Sequence, residues 1–152
     1  MRKTRVLAVK SLEPGEDADV SFVPPALRRR LSPLQKIFFH LANIEGSPSP
    51  ANVVFASRDG EDTLTRKTVA RFIEDGSASP QCFSASVYNA APGLWSVFTG
   101  NHAPYTAIAA GKDTVSAAFS EALGMEAGPV LVVYAEETGS GHGFSVLFDF
   151  DD

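Results

Sequence analysis

The chain has 152 residues, a net charge of -5, an apolar fraction of 44% and a charged fraction of 20%. That length suits one domain spanning residues 1–152, and the acidic balance excludes a general field for nucleic acid. A single cysteine, Cys82, excludes an internal disulfide and the multi-thiolate zinc sites.

Residues 5–10 read as a short strand. The apolar run after the basic start, Val6 to Val9, is too short for a signal-peptide core, and no stretch approaches a membrane span, so a cytoplasmic protein is expected. An acidic loop with Gly and Pro covers residues 13–19. Pro24 and Pro25 then introduce a helix. In it Leu27, Leu31, Leu34, Ile37, Phe38 and Leu41 recur at three- and four-residue spacings, one apolar stripe. Pro33 interrupts the stripe and predicts a kink or a break into two helices. Arg28, Arg29 and Arg30 lie in this stretch, either as a solvated helix face or as a site for an acidic partner. Residues 46–50 carry a clear turn signal.

Residues 52–56 form a continuous apolar run, as a buried strand requires. A helix is predicted over residues 63–75, with Leu64, Val69, Phe72 and Ile73 inward and Gly76 as its stop. Over residues 83–99 a bent helical segment is expected, because Pro92-Gly93 breaks a single long helix. Residues 105–110 form a short strand. A helix over residues 113–123 places Val115, Ala118, Phe119, Ala122 and Leu123 on one face and ends at Gly124. Residues 129–135 are the strongest strand. After a turn, residues 143–150 alternate Phe144, Val146, Phe148 and Phe150, a period of two. The order β-α-β-α-α-β-α-β-β predicts an α/β fold. Its sheet is five-stranded and mostly parallel with one antiparallel strand, and helices cover its faces.

The chemistry-bearing residues are sparse. Gly111-Lys112 lacks the earlier Gly and the following Ser or Thr of a phosphate loop; Thr106 and Asp113 stand there. Gly139-Ser-Gly-His-Gly143 lies between two strands, so it reads as a hairpin loop. His40, His102 and His142 show no paired ligand spacing, so no metal and no cofactor is expected, and His102 is the one nearest a candidate site. Cys82 reads as a buried structural thiol, with no neighbour in sequence to lower its pKa. The strand–turn–helix across residues 104–123 has the layout of a nucleophile elbow. Its tip offers Ile108, Ala109, Ala110 and Gly111, none of which can attack a carbonyl.

Three segments together resemble one family. Phe83-Ser-Ala-Ser-Val-Tyr-Asn-Ala-Ala-Pro-Gly93, Val53-Val-Phe-Ala-Ser-Arg-Asp-Gly-Glu61 and Ala103-Pro-Tyr-Thr-Ala-Ile-Ala-Ala-Gly111 are similar to β-ketoacyl synthase-like N-terminal domains of the thiolase-like superfamily. The likeness is greatest to a divergent branch associated with aryl-polyene-type polyketide pathways, with Leu27-Arg-Arg-Arg-Leu-Ser32 matching its first helix. Tyr88 stands where that branch commonly has His.

The resemblance implies half of a thiolase-like fold, with the family's nucleophilic cysteine replaced by Ala109 and the half that supplies the catalytic histidines absent. It implies no catalytic residue and a non-catalytic subunit that pairs with an active ketosynthase, in the manner of a chain-length factor. Acyl carrier protein is a further implied partner. Two alternatives stay open. One is a divergent enzyme using His102, Tyr88 or Cys82; the other is a homodimer that binds an acyl group or carrier protein without turnover. In the family the strand at Pro104, Tyr105, Thr106, Ala107 and Ile108 pairs across a two-fold-like axis. Trp95 and Phe98 either flank that interface or fill the chain's own core.

Overall fold

Two apolar strands lie side by side at the centre of the sheet: β2 (Asn52–Ala56) and β4 (Val130–Glu136), paired in parallel. Val53 and Phe55 of β2 join Leu131, Val133 and Ala135 of β4 in one core, while Val54, Ala56, Val130 and Val132 face a second. A strand covered on both faces has no solvent side to alternate with, which is why these runs carry so few polar residues. The computed structural model describes residues 3–47, 50–125 and 128–151.

β1 (Thr4–Leu12), β3 (Tyr105–Ile108) and β5 (His142–Phe150) complete the order β1-β5-β4-β2-β3. β5 is antiparallel to both its neighbours, β1 and β4. Four strands therefore point one way and β5 the other, as expected, although only two of the four pairings are parallel. β1 and β3 are the two edges.

The stripe begun by Pro24 breaks into α1 (Pro25–Arg28) and α2 (Pro33–Ala42). Ser32 is the reason. Its Oγ accepts the Gln35 N–H at 3.0 Å, and the Gln35 side-chain oxygen accepts the Ser32 N–H at 3.1 Å, a reciprocal cap with Pro33 in the first turn. Leu34, Phe38, Phe39 and Leu41 are fully buried. With α5 (Ala90–Thr99), α2 covers the Val53 face of the sheet. The opposite face is covered by α6 (Thr114–Gly124), through Ala118 and Ala122.

Five expectations need correction. Gly76 does end α3 (Asp62–Asp75), at φ 67°, but Val69, Phe72 and Ile73 are 51, 57 and 77% exposed rather than inward. The extensive neighbour of α3 is α4 (Pro80–Ser86), not a sheet face, so its apolar stripe has nothing beneath it. Leu123 is also exposed; α6 seats itself by its alanines, a turn apart. The segment over residues 83–99 breaks at Val87–Asn89. Pro92 instead sits in the first turn of α5, where a missing N–H loses no helical bond. Cys82 is half-buried, because α4 lies near the surface with Phe83 exposed beside it. The fifth correction concerns Thr106 and is described below. Of the turn predicted over residues 46–50, Pro48 and Ser49 lie outside the described residues, as do Met1 and Arg2 of the basic start. Among the described residues no helix is long and apolar enough to cross a membrane.

Candidate functional site: an edge strand, its turn and a buried acid cluster

Among the described residues β3 pairs with β2 alone, in register from Tyr105 opposite Val53 to Ile108 opposite Ala56. The Val53 N–H donates to the Pro104 carbonyl at 3.0 Å and the Ser57 N–H to the Ile108 carbonyl at 3.2 Å. In a parallel ladder the partner side alternates, so Thr106 and Ile108 turn their amides to β2, while Tyr105 and Ala107 turn theirs to the open edge. Thr106, expected with its neighbours at the pairing edge, instead gives its backbone amide to the internal ladder, a register that β2 decides.

The turn that follows is held from below. Thr114, 2% exposed, accepts the Ala110 N–H at 3.0 Å and donates its hydroxyl to the Gly111 carbonyl at 2.7 Å. Gly111 takes φ 57°, opening a single 3-10 turn, Gly111–Asp113, that leads into α6. Ala109 and Ala110 are exposed at the tip, and Ile108 is half-buried. The geometry presents a side chain at position 109 to solvent just before a helix N-terminus. In this chain that side chain is a methyl group. Ala109→Cys should therefore carry a more reactive thiol than Cys82, which is half-buried. Each unit by which the thiol pKa falls raises the thiolate fraction roughly tenfold below that pKa. Alkylation rates resolved by peptide mass spectrometry check this; equal rates at the two thiols would refute it.

Of the residues named for an interface, Pro104 and Tyr105 are exposed, and Thr106, Ala107 and Ile108 half-buried. Trp95 and Phe98 turn inward. The Trp95 ring meets Phe39 at 5.2 Å, Phe98 at 5.9 Å, Phe38 at 6.3 Å and Phe22 at 6.5 Å between centroids. Neither ring is among the exposed residues of α5, whose exposed large apolar residue is Val97, 83% accessible.

Sequence reasoning missed two buried acids at the carboxyl ends of β2 and β4. Glu136, 1% exposed, accepts the Ser57 hydroxyl at 3.0 Å, the Asp59 N–H at 3.3 Å and the Arg58 N–H. It thus satisfies the loop that leaves β2, with no partner strand there. Tyr88 closes the same loop by donating its hydroxyl to the Ser57 carbonyl, its ring lying against Gly60, which takes φ 60°. The second acid, Glu61, is 4% exposed and accepts the Ser32 hydroxyl and the Gln35 amide, each at 2.9 Å. The one local signal was the capping pattern Ser32-Pro-Leu-Gln35, which announces the donors but not their acceptor.

The histidines stay apart. His40 accepts the Asp19 N–H on Nδ1 at 2.9 Å, and burial, then the charge of Lys10, hold its pKa below the usual value. His102 is exposed, and His142 packs against Tyr134 on β4. Among the described residues no three His, Cys, Asp or Glu side chains gather as a metal site, and no hydrogen bond joins any two of His102, Tyr88 and Cys82. Beside the acid cluster a cavity of about 540 Å³ opens between α1–α2 and α4–α5. Leu27, Leu31 and Leu94 line it, with Arg30 at its wall and Gln35 at its base.

A family model described as the N-terminal domain of beta-ketoacyl synthase matches residues 5–141. Among solved structures, a chain of a ketosynthase (ApeO) in complex with its chain length factor (ApeC) from Xenorhabdus doucetiae superimposes with a TM-score of 0.82. It covers 96% of this chain and 78% of that one at 18% identity. A chain of the ishigamide ketosynthase/chain length factor superimposes with a TM-score of 0.66, over 89% of this chain and 48% of that one at 14% identity. At such identities the likeness shows the fold. No curated protein matches the chain.

Proposed function

Because the chain belongs to the β-ketoacyl synthase N-terminal domain family, we propose that it is a synthase-like subunit without condensing activity of its own, paired with an active ketosynthase in acyl-chain elongation of the aryl-polyene type. The observation that carries this reading is the turn at Ile108–Gly111. It has the scaffold of a nucleophile site, a strand, a sharp turn and a helix N-terminus, and Ala109 at its tip. A methyl group forms no thioester, so acyl transfer at this turn has no first step. The solved relatives are complexes of a ketosynthase with a chain length factor, which supports a paired role. The apolar cavity beside α4–α5 supports a subunit that shapes space for an acyl chain, its size being that of an ordinary ligand pocket.

Pairing is assigned to the open edge of β3 at Pro104, Tyr105, Thr106, Ala107 and Ile108, because an unpaired edge is a template for another strand. Trp95 and Phe98 support that surface from beneath rather than form it. Acyl carrier protein would reach the pair as the donor of the growing chain. A homodimer through the same edge is the second reading, favoured by the same free amides.

The experiment is co-expression with a candidate ketosynthase, followed by light scattering and product analysis by mass spectrometry. Condensed product is expected from the pair and not from this chain alone. Turnover by this chain alone would overturn the non-catalytic reading, and a mass unchanged by the ketosynthase would overturn the pairing. Ala107→Pro should weaken association while sparing the β2–β3 ladder, since proline is tolerated where the amide faces outward. The loss of one hydrogen bond, about 0.5–1.5 kcal/mol, raises the dissociation constant roughly 2- to 12-fold. Unchanged affinity, measured by titration, would place the interface elsewhere.

A further inference from the structure

The break at Val87–Asn89 sends α4 and α5 to different neighbours: α4 packs on α3, and α5 on α2. Between them and the α1–α2 link opens the cavity of about 540 Å³, a volume within the range of small-molecule sites. Its aliphatic walls come from several elements: Leu27 from α1, Leu31 from the link, Ala85 from α4, Ala90 and Leu94 from α5. No aromatic side chain lines it, although Trp95 and Phe98 stand on the same helix, because both turn to the core. A ligand here meets aliphatic surface and no ring to stack on.

Most polar atoms along the cavity are already committed. Gln35, fully buried at the base, gives its side-chain amide to Glu61 Oε1 at 2.9 Å and to the Ala85 carbonyl at 3.2 Å. Its side-chain oxygen accepts the Ser32 N–H. The base therefore has no amide hydrogen left to offer a ligand. Ser84 donates its hydroxyl to the Pro80 carbonyl within α4. One charge remains. Arg30 is exposed at the wall, and among the described residues no ion pair engages its guanidinium. Every other lining residue is neutral, so no acid in the cavity offsets that cation.

We propose that the cavity binds an unbranched aliphatic chain with an anionic head, the methyl end against Leu31 and Gln35 and the head on Arg30. The inference rests on the reading of an acyl-elongation subunit and deepens it by naming what the site recognises. Burial of the chain supplies affinity, roughly fourfold per methylene. Arg30 supplies the choice of head, through a charge-assisted hydrogen bond that a carboxylate and a phosphate monoester accept alike. A second polar group at the far end of the chain would meet a base whose donors are taken, and would be buried unpaired.

The test is titration calorimetry on this chain without a ketosynthase, using straight-chain carboxylates from butyrate to dodecanoate below their micelle concentrations. Affinity should rise roughly fourfold per methylene and level off where the cavity is full. Arg30→Gln should weaken decanoate binding about 2- to 5-fold, the range of an exposed ion pair, and leave decanol binding unchanged. Sebacate, the dicarboxylate of the same length, should bind about tenfold or more weakly than decanoate. Ala90→Leu, which adds bulk at the wall, should bring the levelling to a shorter chain. Decyl phosphate beside decanoate separates the two sources of the anion, the tighter ligand marking a phosphate-bearing chain or a free acid.

Absence of saturable binding overturns the proposal, as does equal affinity for decanoate and decyltrimethylammonium, or an affinity untouched by Arg30→Gln. So does affinity that keeps climbing with length in the native chain and in Ala90→Leu alike, which would mark adsorption to an outer surface such as the stripe on α3. Should Ala90→Leu fail to fold, the native series and Arg30→Gln still decide, since Arg30 is exposed. No binding by a chain that still pairs with the ketosynthase overturns this inference alone. Binding by a chain that does not pair supports it and overturns the pairing.

Discussion

Trp95→Ala lowers the unfolding free energy of the single chain by about 3 kcal/mol, the lower end of the range for truncating a large aromatic, since the ring is partly buried. The indole sits between α2 and α5 with four phenylalanine rings around it, three of them edge-on: Phe39 at 5.2 Å with an interplanar angle of 89°, Phe38 at 6.3 Å with 77° and Phe22 at 6.5 Å with 82°. Such contacts add about 0.5–1.5 kcal/mol per pair beyond area burial. Phe38 also meets Phe55 of β2 at 5.2 Å, so the cluster fastens both helices to the sheet. Denaturant midpoints measured at several protein concentrations check the result. If the loss vanished on dilution, Trp95 would be stabilising an association instead, and its place would be the interface.

Gly143→Ala should destabilise the chain by about 3 kcal/mol or more, the upper range of overpacking. A methyl group built there stands 2.2 Å from the Tyr134 carbonyl oxygen, 2.7 Å from Leu41 Cδ1 and 3.1 Å from the Ala135 Cα. Two of these are backbone atoms of the neighbouring strand, opposite which Gly143 pairs, so relief requires parting β4 from β5. The melting temperature should fall by roughly 6–12 °C on the scale of 2–4 °C per kcal/mol for this size. Gly124→Ala is the control, since a methyl group at that helix end meets nothing within 4 Å. A melting temperature for Gly143→Ala equal to that of the control would refute the packing argument.

What could be read in advance depended on how local its cause was. β2 and β4 were legible because burial on both faces writes itself into consecutive residues. The break before α2 was legible because Ser32, Pro33 and Gln35 supply it within four positions. The stripe Val69, Phe72, Ile73 was also legible as a stripe, but whether anything covers it is decided by where the loop after β2 sends α3. Periodicity does not contain that information. Trp95 posed the same difficulty with the opposite outcome, since an aromatic helix face serves a core and an interface alike. The turn at Ala109 was found by resemblance. The acid cluster was not found at all, because Glu61 meets its donors 26 and 29 residues away and Glu136 receives the Ser57 hydroxyl from 79 away.

The place of β5 between β1 and β4 has a consequence for the order of assembly. Thr4 lies opposite Phe150 and Leu12 opposite Gly143, so the first strand of the chain has no backbone partner except the last. During synthesis from the amino terminus, β1 would emerge well before β5 and wait for it through β2, β3 and β4. The parallel core of β2, β3 and β4 has all its strands by residue 136 and needs no help from either terminus. Folding therefore runs outward from β2, β3 and β4, with the pairing of β1 to β5 as a later, slow, long-range step.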